Sequence, residues 1–258
     1  MNPMLSTASA VPVVERRSVG RAREAVERLV ARAYGLTYDR VVTGFGPYEA
    51  LIEEVEKLIA DTASADSLRP LRILDVACGT GTVALRLARM RHSIVGVDAV
   101  SHLIDVARAR RAGAGDVAFY HADLARDPLP GGGTFDVLVS MHTLYWHPHP
   151  EALLHACRRA LRPGGHAVFL TYSRPAHVVA SFERLRAEAG LRRAVEGLRW
   201  LLPTAAFENF RNHHPRYLGE EEFHDRLRGA GFEILASRRT FLSGISLLAW
   251  TKTKEESR

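Results

Sequence analysis

Five short apolar runs alternate with amphipathic helical patterns through the middle of the chain, and this alternation constrains the fold most. A short apolar run bounded by turn residues is typical of a strand that is buried on both faces. Alternation of such strands with helices indicates a parallel sheet covered on both sides. We therefore predict an α/β fold with a doubly wound sheet. The predicted strands are Arg72–Val76, Ser93–Val97, Val117–His121, Phe135–Ser140 and Gly165–Tyr172.

The N-terminal quarter has a different character. Residues 1–20 are rich in alanine, serine, valine and proline without clear periodicity, and we predict a flexible arm. Residues 21–69 contain two helical patterns and are predicted to form an N-terminal helical segment. Within them, the small polar stretch Asp61–Arg69 is predicted to be the link into the main domain.

The rest of the chain divides into three predicted parts. Residues 70–173 form the ligand-binding core. The helical segment 174–218 is too long for a simple connection, so we predict an inserted cap that covers the substrate after the fifth strand. Residues 219–258 supply a final helix and two strands, which meet at a hairpin turn at Ser243–Gly244 and complete the core.

Composition bears on compartment and partners. Two cysteines without a CxxC spacing disfavour a disulfide framework or a zinc site, and they predict a reducing, cytoplasmic setting. No apolar run reaches about 18 residues, so no membrane span is predicted. The net charge of +6 comes from arginines spread along helical patterns beside glutamates, which disfavours nucleic acid as a partner. A homodimer is one of the oligomeric states that the sequence leaves open.

The segment ILDVACGTG, from Ile73 to Gly81, joins the first strand to a helix. Gly79 and Gly81 let the backbone turn sharply and approach a ligand closely. The free N–H groups at the following helix start face the same crevice, at the carboxyl ends of the strands. We expect a nucleotide-like ligand here, although these glycines alone also match a loose dinucleotide pattern.

Three carboxylates narrow the choice of ligand. Asp98 ends the second strand, where it can accept two hydrogen bonds from a ribose diol. Asp123 follows the third strand, where it can read an adenine amino group. Asp75 precedes the glycines, and its charge would repel a pyrophosphate but suits a sulfonium and an amino group. Together they favour S-adenosylmethionine (SAM); a Rossmann dehydrogenase and a fold without cofactor are the alternatives.

The segments DVACGTG, VGVD, HAD, FDVLVS and LRPGG resemble, in order and spacing, those of class I SAM-dependent methyltransferases. The resemblance covers about residues 36–252 and implies a Rossmann-like seven-stranded sheet of order 3-2-1-4-5-7-6 with an antiparallel last strand. It implies SAM as cofactor and S-adenosylhomocysteine (SAH) as product. The residues predicted to contact SAM in the core are Asp75, Ala77, Gly79, Thr80, Gly81, Asp98, Ala99, Asp123, Leu124, Ser140 and Met141.

Two N-terminal segments, Tyr34–Asp39 and Phe45–Tyr48, resemble the lead-in of the small-molecule branch, which includes ubiquinone- and menaquinone-biosynthesis-like enzymes. That resemblance implies that residues 21–69 form an N-terminal helical lid over the cofactor and that Tyr38 contacts the cofactor. An aromatic pair can shield a sulfonium by cation–π attraction and exclude water. Ordinary core packing is the alternative for each of these aromatic residues.

Methyl transfer requires alignment of nucleophile and methyl group, and in some enzymes removal of a proton. His142, just beyond the fourth strand, is predicted to be a general base because its usual pKa suits that task. Its alternative is a histidine bonded to backbone or solvated. Tyr145 is the second candidate catalytic residue, with packing beside Trp146 as its alternative. The candidate substrate-binding residues are His147, Trp200 and His213.

The acceptor side departs from the S-x-x-x-L-H-H-x-x-D-P pattern of that branch, because Tyr145 and Trp146 replace its paired histidines and His149 its acid. No metal site is predicted, since His213 and His214 lack a third ligand at suitable spacing. We predict a SAM-dependent methyltransferase that acts on an O, N or C atom of a small molecule, in quinone-type or secondary metabolism. The alternatives are an RNA or protein methyltransferase, or a SAM-binding protein without methyl transfer.

Overall fold

The computed structural model describes residues 41–66, 69–130, 132–210 and 216–254. Tyr38, His213 and the predicted arm of residues 1–20 lie outside the described residues. The elements, in chain order, are α1 (Gly46–Asp66), β1 (Arg72–Val76), α2 (Thr82–Ala88), β2 (Ser93–Asp98), α3 (Ser101–Arg110), β3 (Val117–His121), β4 (Phe135–Met141), α4 (Pro150–Ala160), β5 (Leu161–Tyr172), α5 (Val178–Phe210), α6 (Glu220–Gly229), β6 (Phe232–Thr240) and β7 (Ser246–Thr253).

The strands form one seven-stranded sheet of order β3-β2-β1-β4-β5-β7-β6. Neighbouring strands from β3 to β5 are parallel, whereas β7 runs antiparallel to both β5 and β6. This confirms the predicted order. The winding reverses between β1 and β4, which are hydrogen-bonded neighbours although β2 and β3 lie between them in sequence. The carboxyl ends of these two strands therefore flank the crevice in which such folds bind ligands.

The sheet is covered on both faces by packed side chains. Successive side chains of a strand point to opposite sides, so neighbouring residues of one strand belong to different cores. Ile73 belongs to the core on the face that also contains Val55 and Ile59 of α1. Leu74, the next residue, belongs to the opposite core with Leu153 of α4. Continuous apolar strands thus fit the interior of this sheet, as the alternation predicted.

The prediction of a polar link at Asp61–Arg69 was largely wrong, because α1 continues to Asp66. The alanines in this stretch favour helix, and Thr62 donates its hydroxyl to the carbonyl of Leu58 at 3.0 Å, so its polar group is satisfied within the helix. The connection ends at Arg69, whose guanidinium contacts the buried carboxylate of Asp136. This pair anchors the entry to β1.

The inserted segment is helical, as predicted, but α5 is interrupted at Gly190, whose φ of 84° and ψ of 169° are not helical. Its second part packs Ala194, Trp200 and Leu201 into the same core as α1. The division of the chain into arm, lid, core and cap stays a prediction. In the part of the chain that the structure describes, no helix is both long and apolar enough to cross a membrane.

Candidate active site

The loop after β1 has left-handed backbone at Ala77, Gly79 and Gly81, whose φ angles are 57°, 55° and 80°. A Cβ on Gly81 would lie 2.6 Å from Cζ of Phe119, so this glycine is required by close packing against β3. A Cβ on Gly79 would meet no atom of the described residues within 4 Å, and this residue lines the crevice. The two glycines therefore have different roles: one seats the loop and the other leaves its backbone open to a ligand.

Asp98, at the end of β2, fixes the shape of this loop. Its Oδ2 accepts the backbone N–H of Gly79 at 2.9 Å, and its Oδ1 accepts that of Val100 at 2.8 Å. Burial raises the pKa of Asp98, and these two hydrogen bonds oppose the rise. Each carboxylate oxygen can accept a further hydrogen bond. The residue can thus hold both the loop and a diol.

Asp75 is a strongly perturbed acid of the crevice. Only 2% of its surface is exposed. Burial raises its pKa to about 7; a hydrogen bond from the backbone of Ala84 lowers it, and the nearby charge of Asp98 raises it further. Its Oδ2 has no hydrogen-bond partner in the described part of the chain. A buried oxygen left unpaired is costly, so this atom fits a ligand that brings a cationic donor.

A cavity of about 300 Å³ opens at the carboxyl ends of β1, β2 and β4. Ten of the predicted site residues line it, from the glycine loop, the end of β2 and the segment after β4. They are Asp75, Ala77, Gly79, Thr80, Asp98, Ala99, Met141, His142, Tyr145 and His147. Gly81, Asp123, Leu124, Ser140 and Trp200 were also predicted but do not line this cavity.

His142 is buried, and its environment argues against the predicted role as a general base. Burial lowers the pKa of its imidazole to about 3, so the ring is neutral at physiological pH and a weak proton acceptor. Nε2 lies 2.9 Å from the hydroxyl of Ser246, and the ring stacks on Tyr172 at 3.9 Å between centroids. The base assignment stays a prediction, and the structure favours a neutral hydrogen-bonding role.

Tyr145 belongs to an aromatic group at the acceptor side of the cavity. Its ring meets Tyr172 edge to face at 4.9 Å and stacks on Trp146 at 5.6 Å. With Tyr48 at the start of α1, these rings give the cavity an aromatic wall. Packing and lining are thus combined in Tyr145, and its predicted catalytic role stays a prediction.

His147 lies at the predicted adenine end rather than the acceptor side. Its Nε2 is 3.4 Å from Oδ1 of Asp123, and its Nδ1 accepts the backbone N–H of His149 at 3.1 Å. Asp123 also accepts the backbone N–H of Ala125 at 3.0 Å, which shapes the loop after β3 next to the buried Leu124. Substrate binding by His147 stays a prediction, although its contacts favour the cofactor side.

Two predicted residues lie behind the cavity wall. Trp200 is 1% exposed and packs against Tyr172 and Phe241, at 5.3 and 5.1 Å between ring centroids. Trp200 does not line the cavity, and a direct substrate contact for it stays a prediction. Ser140 is 1% exposed, and its Oγ has no hydrogen-bond partner among the residues described. Ser140 does not line the cavity, whereas the next residue, Met141, does.

Several lining residues were missed by sequence reasoning. Tyr172 ends β5 at the same edge of the sheet as Asp98, so the rule that ligands meet strand carboxyl ends was the available signal. Val100, which precedes α3, and Leu103, in its first turn, carry no such signal, because apolar residues there also suit ordinary packing. The described ranges hold no group of three or more side chains suited to a metal ion.

A family model described as "Methyltransferase domain" matches residues 47–237. The ubiquinone biosynthesis O-methyltransferase of Roseobacter denitrificans is 31% identical over 175 residues, which cover 67% of this chain and 64% of that protein. The chain thus spans slightly less than two thirds of this relative. The enzyme of the same name from Rhizobium rhizogenes is 31% identical over 185 residues, covering 71% of this chain and 68% of that protein.

The crystal structure of magnesium protoporphyrin IX methyltransferase (ChlM) from Synechocystis PCC 6803 with bound SAM matches this fold with a TM-score of 0.59. The match covers 88% of this chain and 97% of that chain at 14% identity, so it bears on the fold alone. The sheet order found here is the one that the resemblance to class I methyltransferases implied. The chain belongs to the methyltransferase-domain family, and its fold is that of the class I SAM-dependent methyltransferases.

Proposed function

We propose that this protein binds SAM in the crevice at the ends of β1, β2 and β4 and transfers its methyl group to a small molecule. The observation that carries the proposal is the buried Oδ2 of Asp75, which has no hydrogen-bond partner among the residues that the structure describes, beside a glycine loop ordered by Asp98. A carboxylate in this position is unfavourable without a ligand and favourable with a cationic one. The ubiquinone biosynthesis O-methyltransferases named above support the same reaction class.

The residues present suit the parts of SAM. Asp75 and the open backbone at Gly79 would hold the methionine end, and Asp98 the ribose. Asp123, backed by His147, would hold the adenine. When bound, SAM supplies a methyl group on a sulfonium, which is a good leaving group. The protein then has to align the acceptor with that methyl and exclude water.

The acceptor side suits a small, largely apolar molecule with a planar ring. Tyr48, Tyr145, Trp146 and Tyr172 line the cavity from α1, the segment after β4 and the end of β5. A cavity with walls on several sides encloses a small ligand, whereas an RNA or protein substrate needs an open basic or extended surface. We infer a quinone-type or other aromatic biosynthetic intermediate as acceptor, in the cytoplasm.

Methyl-labelled SAM, incubated with the protein and a panel of phenols, amines and quinol precursors, tests the proposal through the labelled product and SAH formed. Asp98→Ala should abolish turnover, because it removes both the ribose contact and the bonds that order the loop. Asp105→Ala is the matched control, since this aspartate of α3 is 69% exposed and should retain turnover. SAM binding without transfer to any acceptor, including a cell metabolite extract, would favour the SAM-binding protein without methyl transfer.

A further inference from the structure

The backbone and side chain of His142 are held in an unusual way. Its φ of 54° is left-handed, which costs a non-glycine residue roughly 1 kcal/mol or more. Its backbone N–H donates to the carbonyl of Leu170 at 2.9 Å. Its ring stacks on Tyr172, and the tilted ring of Phe241 lies 5.9 Å away between centroids. Backbone strain retained at a cavity wall indicates that the position of this ring matters for function.

Ser246, the first residue of β7, decides which nitrogen of this ring carries the hydrogen. Its side chain is fully buried, and among the described residues its hydroxyl has one hydrogen-bond partner, Nε2 of His142. If Nε2 carried the hydrogen, two buried groups would lack a partner among the described residues: the hydroxyl proton and the bare Nδ1. Donation from the hydroxyl to Nε2 leaves only one such group, the Nδ1–H, and each unpaired group costs about 1–3 kcal/mol in a buried site. If the hydroxyl donates to Nε2, the ring hydrogen lies on Nδ1.

The other ring nitrogen of His142, Nδ1, is buried and has no hydrogen-bond partner within the described ranges. The residue lines the cavity beside Met141 and Tyr145, on the acceptor side of the crevice. A buried N–H without a partner is rare in folded proteins, and a ligand that accepts its hydrogen bond would remove the penalty.

We propose that Ser246 is a positioning residue that fixes His142 as the Nδ1–H tautomer, so that the neutral imidazole donates a hydrogen bond to a hydroxyl or carbonyl oxygen of the acceptor. This inference rests on the proposed function. The hydrogen bond narrows the substrate class to acceptors that carry an oxygen at the methylated position or next to it. A neutral imidazole is an effective donor to oxygen that carries developing or full negative charge.

A strained turn places Ser246. Phe241, Leu242, Ser243 and Gly244 all have left-handed φ angles, of 59°, 39°, 61° and 75°. The turn is closed by the N–H of Ile245, which donates to the carbonyl of Phe241 at 2.9 Å. Three consecutive non-glycine residues in this conformation are costly, and such strain persists where the surrounding structure imposes it.

Two hydrogen bonds hold this turn against the residues that follow β5. Arg174 donates from Nη2 to the carbonyl of Ser243 at 3.1 Å, and Ser173 donates its backbone N–H to the carbonyl of Ile245 at 2.9 Å. These bonds tie the turn to the end of β5, directly after Tyr172. The turn and β5 thus hold Ser246 and the stacked pair of His142 and Tyr172 in one unit.

In the proposed step, His142 takes no proton. An acceptor hydroxyl loses its proton to solvent, and the hydrogen bond from Nδ1–H stabilises the resulting oxyanion. The C–O bond forms as the C–S bond of SAM breaks, and the sulfonium becomes the neutral thioether of SAH. For an acceptor methylated at N or C, the same hydrogen bond would orient a neighbouring oxygen.

The first test is ¹⁵N NMR of the histidine rings, with and without SAH, with His142 assigned by its absence from the spectrum of His142→Gln. We expect Nδ1 to carry the hydrogen and Nε2 to be a bare acceptor in the wild type. Ser246→Thr should keep this signature, and Ser246→Ala should change it. Thr251→Val is the matched control, because it removes another buried hydroxyl of β7, which bonds to the carbonyl of Ala167. Hydrogen on Nε2 in the wild type, or an unchanged spectrum in Ser246→Ala, would overturn the proposal.

The second test uses 4-nitrophenol as a probe of the acceptor side in the SAH complex, with ionisation followed by its visible absorbance. The wild type should bind it as the phenolate and lower its apparent pKa by about one unit, a tenfold change in ionisation. Ser246→Ala should lose this shift and Ser246→Thr restore it. Absence of binding, or an equal shift in Ser246→Ala, would contradict the proposal. Failure of SAH itself to bind refutes the proposed function instead, while the NMR spectrum of the free protein still decides the tautomer.

Discussion

Replacing Asp75 by asparagine should make the ligand-free protein more stable at pH 8 while weakening its affinity for SAH. The pKa of this carboxyl is raised from 3.8 to about 7, chiefly by burial. A raised carboxyl pKa means that the folded state holds its proton when the unfolded state has already released it. The free energy of unfolding therefore falls as the pH rises from about 4 to about 7, and is constant above that.

The size of this effect follows from the shift. One pKa unit corresponds to about 1.4 kcal/mol, so a rise of about three units destabilises the folded protein by at most about 4 kcal/mol above pH 7. Asparagine has nearly the same shape and no charge, and its amide oxygen can still accept the N–H of Ala84. Its amide hydrogens are unsatisfied, so we expect a net gain of roughly 1–3 kcal/mol at pH 8.

Urea unfolding of the wild type and Asp75→Asn between pH 5 and pH 8.5 measures this directly. The two proteins should differ little at pH 5 and diverge as the pH rises. A ligand that brings an ammonium group should favour the carboxylate, so SAH binding to the wild type should release a proton near pH 7. Equal pH dependence in both proteins, or a less stable Asp75→Asn at pH 8, would refute the assignment of a buried, unpaired acid.

Two further changes test the loop and the base of the sheet by thermal and urea unfolding. Gly81→Ala places a Cβ 2.6 Å from Phe119 at a φ of 80°, and should destabilise the protein by about 2–4 kcal/mol and weaken SAH binding. Gly113→Ala is the control: its φ of 75° is similar, but a Cβ there would meet no atom of the described residues within 4 Å, so the free energy of unfolding should fall by only about 1 kcal/mol. An equal loss of stability in the two variants would mean that the Phe119 ring moves aside. Asp136 is held by Arg69 and by Arg162, and bonds to these arginines and to the backbone lower its pKa to about 2 against the opposing effect of burial. Its stabilisation is present above about pH 4 and is lost as the pH falls through 2, so Asp136→Asn should lose about 1–2 kcal/mol at pH 7 and show a flatter acid transition. An unchanged unfolding midpoint at pH 7 would show that solvent screens these pairs.

The strands of the core and the cofactor side could be predicted from the sequence because their signals are local, whereas the strand order was implied by the resemblance to class I methyltransferases. Gly79 and Gly81 lie within seven residues of Asp75, and Asp98 closes the next strand. Periodicity located every strand of the core to within a few residues, except that β5 begins at Leu161, before the predicted Gly165. Leu161 pairs with Phe135 and His166 with Val137, so the pairing of β4 with β5 crosses an irregularity that composition alone does not reveal.

The acceptor side was much less predictable, because its contacts join distant parts of the chain. His142 and Ser246 are hydrogen-bonded across 104 residues, and nothing local marks a serine at a strand start as the partner of a histidine. Trp200 was predicted to contact substrate because it belongs to the inserted cap. In the structure its side chain packs in the core against Tyr172. The direction of a helical side chain depends on what the helix packs against, which its own sequence specifies only in part.

Isothermal titration of SAH into the purified protein shows whether the crevice is a SAM site. We expect saturable binding at one site per chain, with proton release near pH 7 and strongly reduced affinity in Asp98→Ala. The exposed Asp105→Ala variant should bind as the wild type does. Absence of saturable binding, or an Asp98→Ala variant with wild-type affinity, would contradict a SAM site at the ends of β1, β2 and β4.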